Sequence, residues 1–198
     1  MAANDTASSP DSDDSCGNVC GPAKIAIIDP TFTAAAYDNS FYNFFRKYAS
    51  ASAGEIIKND TSLLSNVVPS KSRQQFAVET LARHLKSSAN GYNVTILGDA
   101  DVHEGLIFSS SSMKADNVYD ILVIFHNEYV TQEEYQNVKT FVANGGTLFV
   151  MDGNVFYAEV KYDKDTSTVA LVKGHGWAFD GEFAQRSISE RWANETTE

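Results

Sequence analysis

Residues 119–160, YDILVIFHNEYVTQEEYQNVKTFVANGGTLFVMDGNVFYAEV, constrain the fold more tightly than any other part of the chain. They read as a strand, a polar loop, a capped helix, a Gly-Gly stop, a second strand and a second polar loop. Ile121–Phe125 is the most apolar run in the sequence and suits a strand buried on both faces. Thr131 with Glu134 reads as a capping box. Tyr135, Val138, Phe141 and Val142 form the stripe of a helix packing on a sheet. Asn144-Gly145-Gly146 ends that helix, and Thr147–Met151 is the next buried strand. In a parallel sheet both strands finish on one edge, where open α/β folds place their sites. The polar groups delivered to that edge are His126, Glu128, Tyr129, Asp152, Asn154 and Tyr157.

The rest of the chain extends the same alternation. Lys24–Pro30 (KIAIIDP) is a short buried strand closed by Asp-Pro, and TFTAAAYDNS follows as a loop. SFYNFFRKYASA has helical spacing at Phe41, Phe44, Phe45 and Tyr48, ending at Gly54. Residues 55–69 are ambiguous and could hold a short strand and a turn. Ser70 caps a helix over about 71–89, with Phe76, Leu81 and Leu85 on one face and Asn90-Gly91 as its stop. Asn93–Leu97 is a strand closed by Gly98-Asp99, and a Ser-rich connection follows, with a helical turn near Val102–Leu106. Tyr157–Tyr162 and Thr168–Lys173 flank KDKDTS as a hairpin, and 182–194 has the pattern of a last amphipathic helix carrying Ile188 and Trp192. Strands alternating with helices, joined by right-handed crossovers, predict an α/β fold: a three-layer α/β/α sandwich with a mostly parallel sheet and a C-terminal hairpin. Residues 1–22, rich in Ser and Asp, read as a disordered acidic lead, and 23–198 as the domain.

Composition narrows the function classes. With 198 residues and 43% hydrophobic content, the chain can build one well-cored domain. A net charge of −11 repels phosphate backbones, so nucleic acid is not an expected partner. No apolar run approaches the length of a membrane span. The start resembles a mature N-terminus with an added Met, from which an upstream signal or anchor has been trimmed, and a segment is expected to follow Glu198. Both cysteines, Cys16 and Cys20, lie in the lead. They are open to a small-loop disulfide, a metal pair or two idle thiols, and a disulfide would mean an oxidising compartment. Four N-x-S/T sequons begin at Asn4, Asn59, Asn93 and Asn194, and with the cysteines they set the expectation of an extracytoplasmic or secreted protein.

Several side chains could carry chemistry, each beside a plainer reading. Asp29 is either a pocket group or a turn residue before Pro30, and Asp152 before Gly153 carries the same choice. His126 ends an apolar strand and shares its loop with Asn127, Glu128 and Tyr129, so it is either a site residue or a hydrogen-bonded structural one. His84 reads as structural, and His103 sits uninformatively in a connection. His175 in KGHGWAFDG has glycines on both sides, and Trp177 and Phe179 could wall a pocket or belong to the core. The tightest turn after a strand, Asp152-Gly153-Asn154, holds neither Ser nor Cys, so a nucleophile elbow is lacking. No Gly-x-Gly-x-x-Gly, phosphate loop or HExxH occurs, which disfavours nucleotide binding and serine or cysteine acyl transfer.

The order strand, His126-Asn127-Glu128-Tyr129, helix, Gly145-Gly146, strand, Gly153-Asn154-x-x-Tyr157 resembles the class I glutamine amidotransferase-like superfamily. Within it, the stretch is most similar to the C-terminal domain of the N,N-dimethylformamidase large subunit and its uncharacterised relatives. Those carry a His-Pro-Glu-Tyr-Trp loop, a Gly-Gly stop and a Gly-Asn-x-x-Tyr turn. Asn127 and Val130 stand here in place of the family's Pro and Trp, and the family's further domains and small subunit lie outside this chain. The resemblance implies a flavodoxin-like sheet without the usual cysteine nucleophile. The formamidase uses a mononuclear iron held by two tyrosinates and a glutamate. By motif, the nearest residues here are Tyr129, Tyr157 and Glu128. An oxygen-rich set of this kind suits iron, with zinc as the other expected metal.

Three functions follow as expectations. The first is an extracytoplasmic amidotransferase-like domain acting as a binding or assembly module, its partner another protein or the remainder of a larger chain. The second is a metal-assisted hydrolase of small amides, with Tyr129, Tyr157 and Glu128 on the metal and His126 or His175, together with Asp152, as acid and base. The third is a carbohydrate-processing or sugar-binding domain with Trp177 and Tyr157 stacking on sugar rings. Asp29, Asn154 and Trp177 are the expected pocket residues.

Overall fold

A computed structural model describes residues 21–38, 41, 67–89, 91–109 and 116–173. In chain order its elements are β1 (Lys24–Asp29), α1 (Thr31–Tyr37), α2 (Gln75–Ser87), β2 (Asn93–Gly98), α3 (Asp99–His103) and β3 (Ile121–Ile124). There follow β4 (Tyr129–Val130), α4 (Gln132–Ala143), β5 (Thr147–Val150), β6 (Ala158–Asp163) and β7 (Thr168–Lys173).

Four strands form a parallel sheet in the order β2-β1-β3-β5. Side chains alternate across it with the period of two that a pleated strand imposes. Ala26, Ile28, Leu122 and Ile124 face one side and pack with Val102, Ile107, Val138 and Phe141 of the α3–α4 layer. Ile25, Ile27, Val94, Val123 and Phe125 face the other and meet Val78 and Ala82 of α2. The expected three-layer α/β/α sandwich is therefore present. A second sheet has the order β4-β6-β7, with β4 parallel to β6 and β6–β7 the expected hairpin. It packs against α1 through Phe32, Ala35, Ala36, Tyr129, Ala158, Val160 and Val169.

The structure differs from the sequence reading at several places. Residues 31–37 are a helix rather than a loop: the Ala34 N–H donates to the Pro30 carbonyl at 3.0 Å, and Phe32 through Ala36 are buried. Helix α2 begins at Gln75 rather than 71, because Ser70 and Ser72 spend their hydroxyls on Asp38 and Asp29. Its buried face runs through Val78 and Ala82, an i, i+4 pair. Phe76 lies about 200° around the helix from Val78 and is 77% exposed. Val142, in the last turn of α4, is 46% exposed. The helical turn expected near Val102–Leu106 starts earlier, at Asp99.

The Gly-Gly stop after α4 forms as expected. Gly145 adopts φ +88° and donates to Val142, while Gly146 donates to Phe141, the two bonds of a Schellman ending. A Cβ on Gly146 would collide with the Phe141 ring. Among the described residues no helix is long and apolar enough to cross a membrane. The lead with Cys16 and Cys20, the 42–54 part of the Phe-rich helix and the 182–194 helix lie outside the described residues.

Candidate functional site at the carboxyl edge

Strands β1 and β3 are neighbours, so the segments that leave their carboxyl ends lie side by side at the edge where open α/β sheets place their sites. Helix α1 leaves β1 and ends with Tyr37, and residues 125–128 leave β3. The two segments are stitched together by Thr33. Its buried hydroxyl accepts from the backbone N–H groups of Glu128 and Tyr129 at 3.0 and 3.1 Å. This brings three polar side chains to one point. Tyr37 donates its hydroxyl to Glu128 Oε2 at 2.6 Å, His126 Nε2 lies 2.9 Å from the same oxygen, and Tyr37 Oη and His126 Nε2 are 3.2 Å apart.

The other nitrogen of the same imidazole, Nδ1, lies 3.4 Å from Asp152 Oδ2, supplied by the loop after β5. His126 is thus set between a fully buried carboxylate and a half-exposed one. The hydrogen bond to Glu128 raises its pKa above the ordinary histidine value against the opposing effect of burial, and Asp152 adds to the rise. The two carboxylates thus favour the protonated ring, placing a proton donor at this edge.

A second carboxyl layer lies beneath. Asp99, fully buried, accepts from the Phe32 N–H at 2.6 Å, the Thr31 hydroxyl at 3.1 Å and Asn127 Nδ2 at 2.6 Å. Asn127 Oδ1 accepts from the Phe125 N–H at 3.1 Å, so the Asn127 side chain ties the His126 loop to the start of α1. Glu134, 1% exposed, also hydrogen-bonds Asp99. Burial pushes Asp99 up to about 6. Burial first, and then Asp99, lift Glu134 well above its ordinary value. Asp99 already accepts from three donors, so a proton shared by the pair belongs with Glu134. Half of the expected capping box exists: Thr131 Oγ1 accepts from the Glu134 N–H at 3.0 Å, while the Glu134 carboxyl turns to Asp99.

A pocket of about 160 Å³ opens beside His126, lined by Thr33, Ala34, Tyr37, Arg73, Gln74 and His126. Of the residues expected at the site, His126, Glu128 and Asp152 are gathered there. Tyr129 is not: consecutive side chains diverge, and its ring packs on Phe41 in the α1 core at 6.0 Å between centroids. Tyr157 is half-buried and donates its N–H to the Glu128 carbonyl at 2.9 Å. Asp29 does not line this pocket; it accepts from Ser72 and so holds the segment that carries Arg73. Asn154 is exposed in a turn with φ +55°. His175 and Trp177 lie outside the described residues.

Tyr37, Asp99 and Glu134 were missed as site residues. The signal for Tyr37 was the Pro30 start followed by TFTAAAY, where Pro and three Ala favour a short helix. Nothing local marks Asp99.

The donor set can be tested against a metal. Among the described residues no three His, Cys, Asp or Glu side chains gather around one point, so an ion here would draw on the phenol. Tyr37 Oη and Glu128 Oε2 are 2.6 Å apart. Ligand atoms around one ion with bonds of about 2.0–2.2 Å keep comparable separations. The phenol and carboxylate oxygens suit iron or zinc, and the imidazole beside them is left to act as an acid.

A family model described as N,N-dimethylformamidase beta subunit-like, C-terminal, matches residues 15–198. No curated protein matches the sequence.

Proposed function

Because the chain belongs to the N,N-dimethylformamidase beta subunit-like C-terminal family, we propose that its carboxyl-edge cluster is the metal-assisted centre of a hydrolase of small amides. The observation that carries this reading is the convergence of Tyr37, Glu128 and His126 heteroatoms within 3.2 Å of one another. Tyr37 and Glu128 would hold an iron or zinc ion, with Tyr37 in the role expected of Tyr129. When bound, such an ion polarises a carbonyl and lowers the pKa of its water. His126, oriented by Asp152 through Nδ1, gives a proton to the departing amine nitrogen. Thr33 and the Asp99–Asn127 bond hold the Glu128 loop against α1. The sheet order, with its site after β3 and no cysteine there, supports placing the domain in the amidotransferase-like superfamily. The sequons and the cysteine pair of the lead support export.

A second reading, an assembly module, is favoured by the apolar edge of the sheet. Phe149, Val150 and Met151, in and just after β5, are each more than half exposed. The family is a subunit-type domain of a larger enzyme, so the two readings are compatible.

Elemental mass spectrometry of the full chain purified without chelator, with amine release from N,N-dimethylformamide, tests the proposal. Stoichiometric iron or zinc in the wild type, lost in Glu128→Gln and reduced in Tyr37→Phe, is expected together with amide cleavage. No metal in any of the three proteins would overturn it and leave the assembly reading.

A further inference from the structure

Resting on that reading of the site, we infer that the substrate amide carries a carboxylate, and that Arg73 is the residue that selects it. The pocket beside His126 is lined by two chemically different sets of polar residues. One set is Tyr37 and His126, and the other is Arg73 and Gln74, from the segment before α2. Arg73 is exposed and makes no hydrogen bond or ion pair with a described residue. In a chain of net charge −11, an uncommitted guanidinium on a pocket wall is a local exception to the prevailing field.

The segment that displays Arg73 is pinned. Ser72 donates to Asp29 at the end of β1, the Ser70 hydroxyl donates to Asp38 at 2.9 Å, and the Ser70 N–H donates to the Thr31 carbonyl at 3.3 Å. The guanidinium is therefore presented from a backbone anchored to the same β1–α1 unit that carries Tyr37. A planar guanidinium recognises a carboxylate through two parallel N–H···O bonds, and a neutral amide offers it no such partner. The pocket volume of about 160 Å³ suits a small ligand such as an N-acyl amino acid.

The test compares N-formylglycine with N-methylformamide on the full chain, in wild type, Arg73→Gln and Arg73→Lys. Binding is read by calorimetry and by shifts of the His126 ring signals, and hydrolysis separately by formate release. Wild type is expected to bind N-formylglycine about ten- to a hundredfold more tightly. Arg73→Gln should bring the two probes to within about twofold, with Arg73→Lys between. Equal affinity in wild type, a preference that survives in Arg73→Gln, or no binding of either probe overturns the inference. N-methylformamide cleaved as well as N-formylglycine overturns it while sparing the hydrolase reading. Arg73-dependent binding of N-formylglycine without cleavage sustains the inference and overturns that reading.

Discussion

Tyr37 and Glu128 are 91 residues apart in sequence and 2.6 Å apart at the site. The phenol donates to a carboxylate that is fully buried, so the bond has to offset desolvation of that carboxylate. Tyr37→Phe should lower stability by about 1.5–3 kcal/mol, the worth of a hydrogen bond to a charged group. Urea denaturation of metal-free protein would measure it. A loss under about 0.5 kcal/mol, ordinary for a surface substitution, would mean the bond is not made in solution.

His126 provides a titration test. Its pKa is raised chiefly by the bond to Glu128 and less by Asp152. The stabilisation from this pairing is complete below the unfolded histidine value, about 6.5, and is lost as pH rises through the raised folded value. NMR titration of the ring should show a large downward shift in Glu128→Gln and a smaller one in Asp152→Asn. The reverse order would contradict the geometry.

The Asp99–Glu134 pair makes stability depend on pH in a predictable direction. Both groups bind their protons more tightly in the folded state. Their contribution is complete below the unfolded carboxylate range, about pH 4, and is lost as pH rises through the Asp99 value and above it. Urea midpoints between pH 4 and pH 8 should fall with rising pH. In Glu134→Gln the amide donates to Asp99 without a titrating proton, so the fall should be shallower and stability at pH 8 at least that of wild type. Parallel curves for the two proteins would refute a shared proton.

The end of α4 tests backbone and packing separately. Gly145→Ala places a side chain at φ +88° and should cost about 1 kcal/mol. Gly146→Ala drives a methyl into the buried Phe141 ring and should cost about 1–3 kcal/mol. Adding Phe141→Leu to Gly146→Ala should recover part of that loss. Strict additivity of the two changes would argue against the contact.

The exposed Phe76 gives a simple contrast. Phe76→Ser should change stability by no more than about 0.5 kcal/mol, whereas Val78→Ala, in the α2 face against the sheet, should cost about 1–3 kcal/mol. Thermal unfolding of the two variants would decide between this face and the one read through Phe76.

The sequence by itself determined the layers. The Val, Ile and Leu runs at the central strands β1 and β3 are buried on both faces, the local pattern of a covered parallel sheet, whereas the run at β5, read as buried, forms an edge strand whose Phe149 and Val150 are more than half exposed. Asn144-Gly145-Gly146 and Thr131 ended and began α4 as read, because caps depend on neighbours in the chain. It also placed His126, Glu128 and Asp152 on one edge, since parallel strands deliver their ends together.

Which of those groups face each other was decided only by the tertiary structure. Glu128 and Tyr129 are adjacent in sequence, but extended chain sends one to the site and the other to the core. Tyr37 entered the site because residues 31–37, buried against the second sheet, folded as a helix that its length alone would not stabilise. Asp99, after β2, met Glu134 and Asn127, after β3, across the β2-β1-β3 strand order, over separations that no local pattern records. Periodicity reports which side of an element is buried. Contacts between elements depend on how those sides are set against one another, and only the folded chain contains that information.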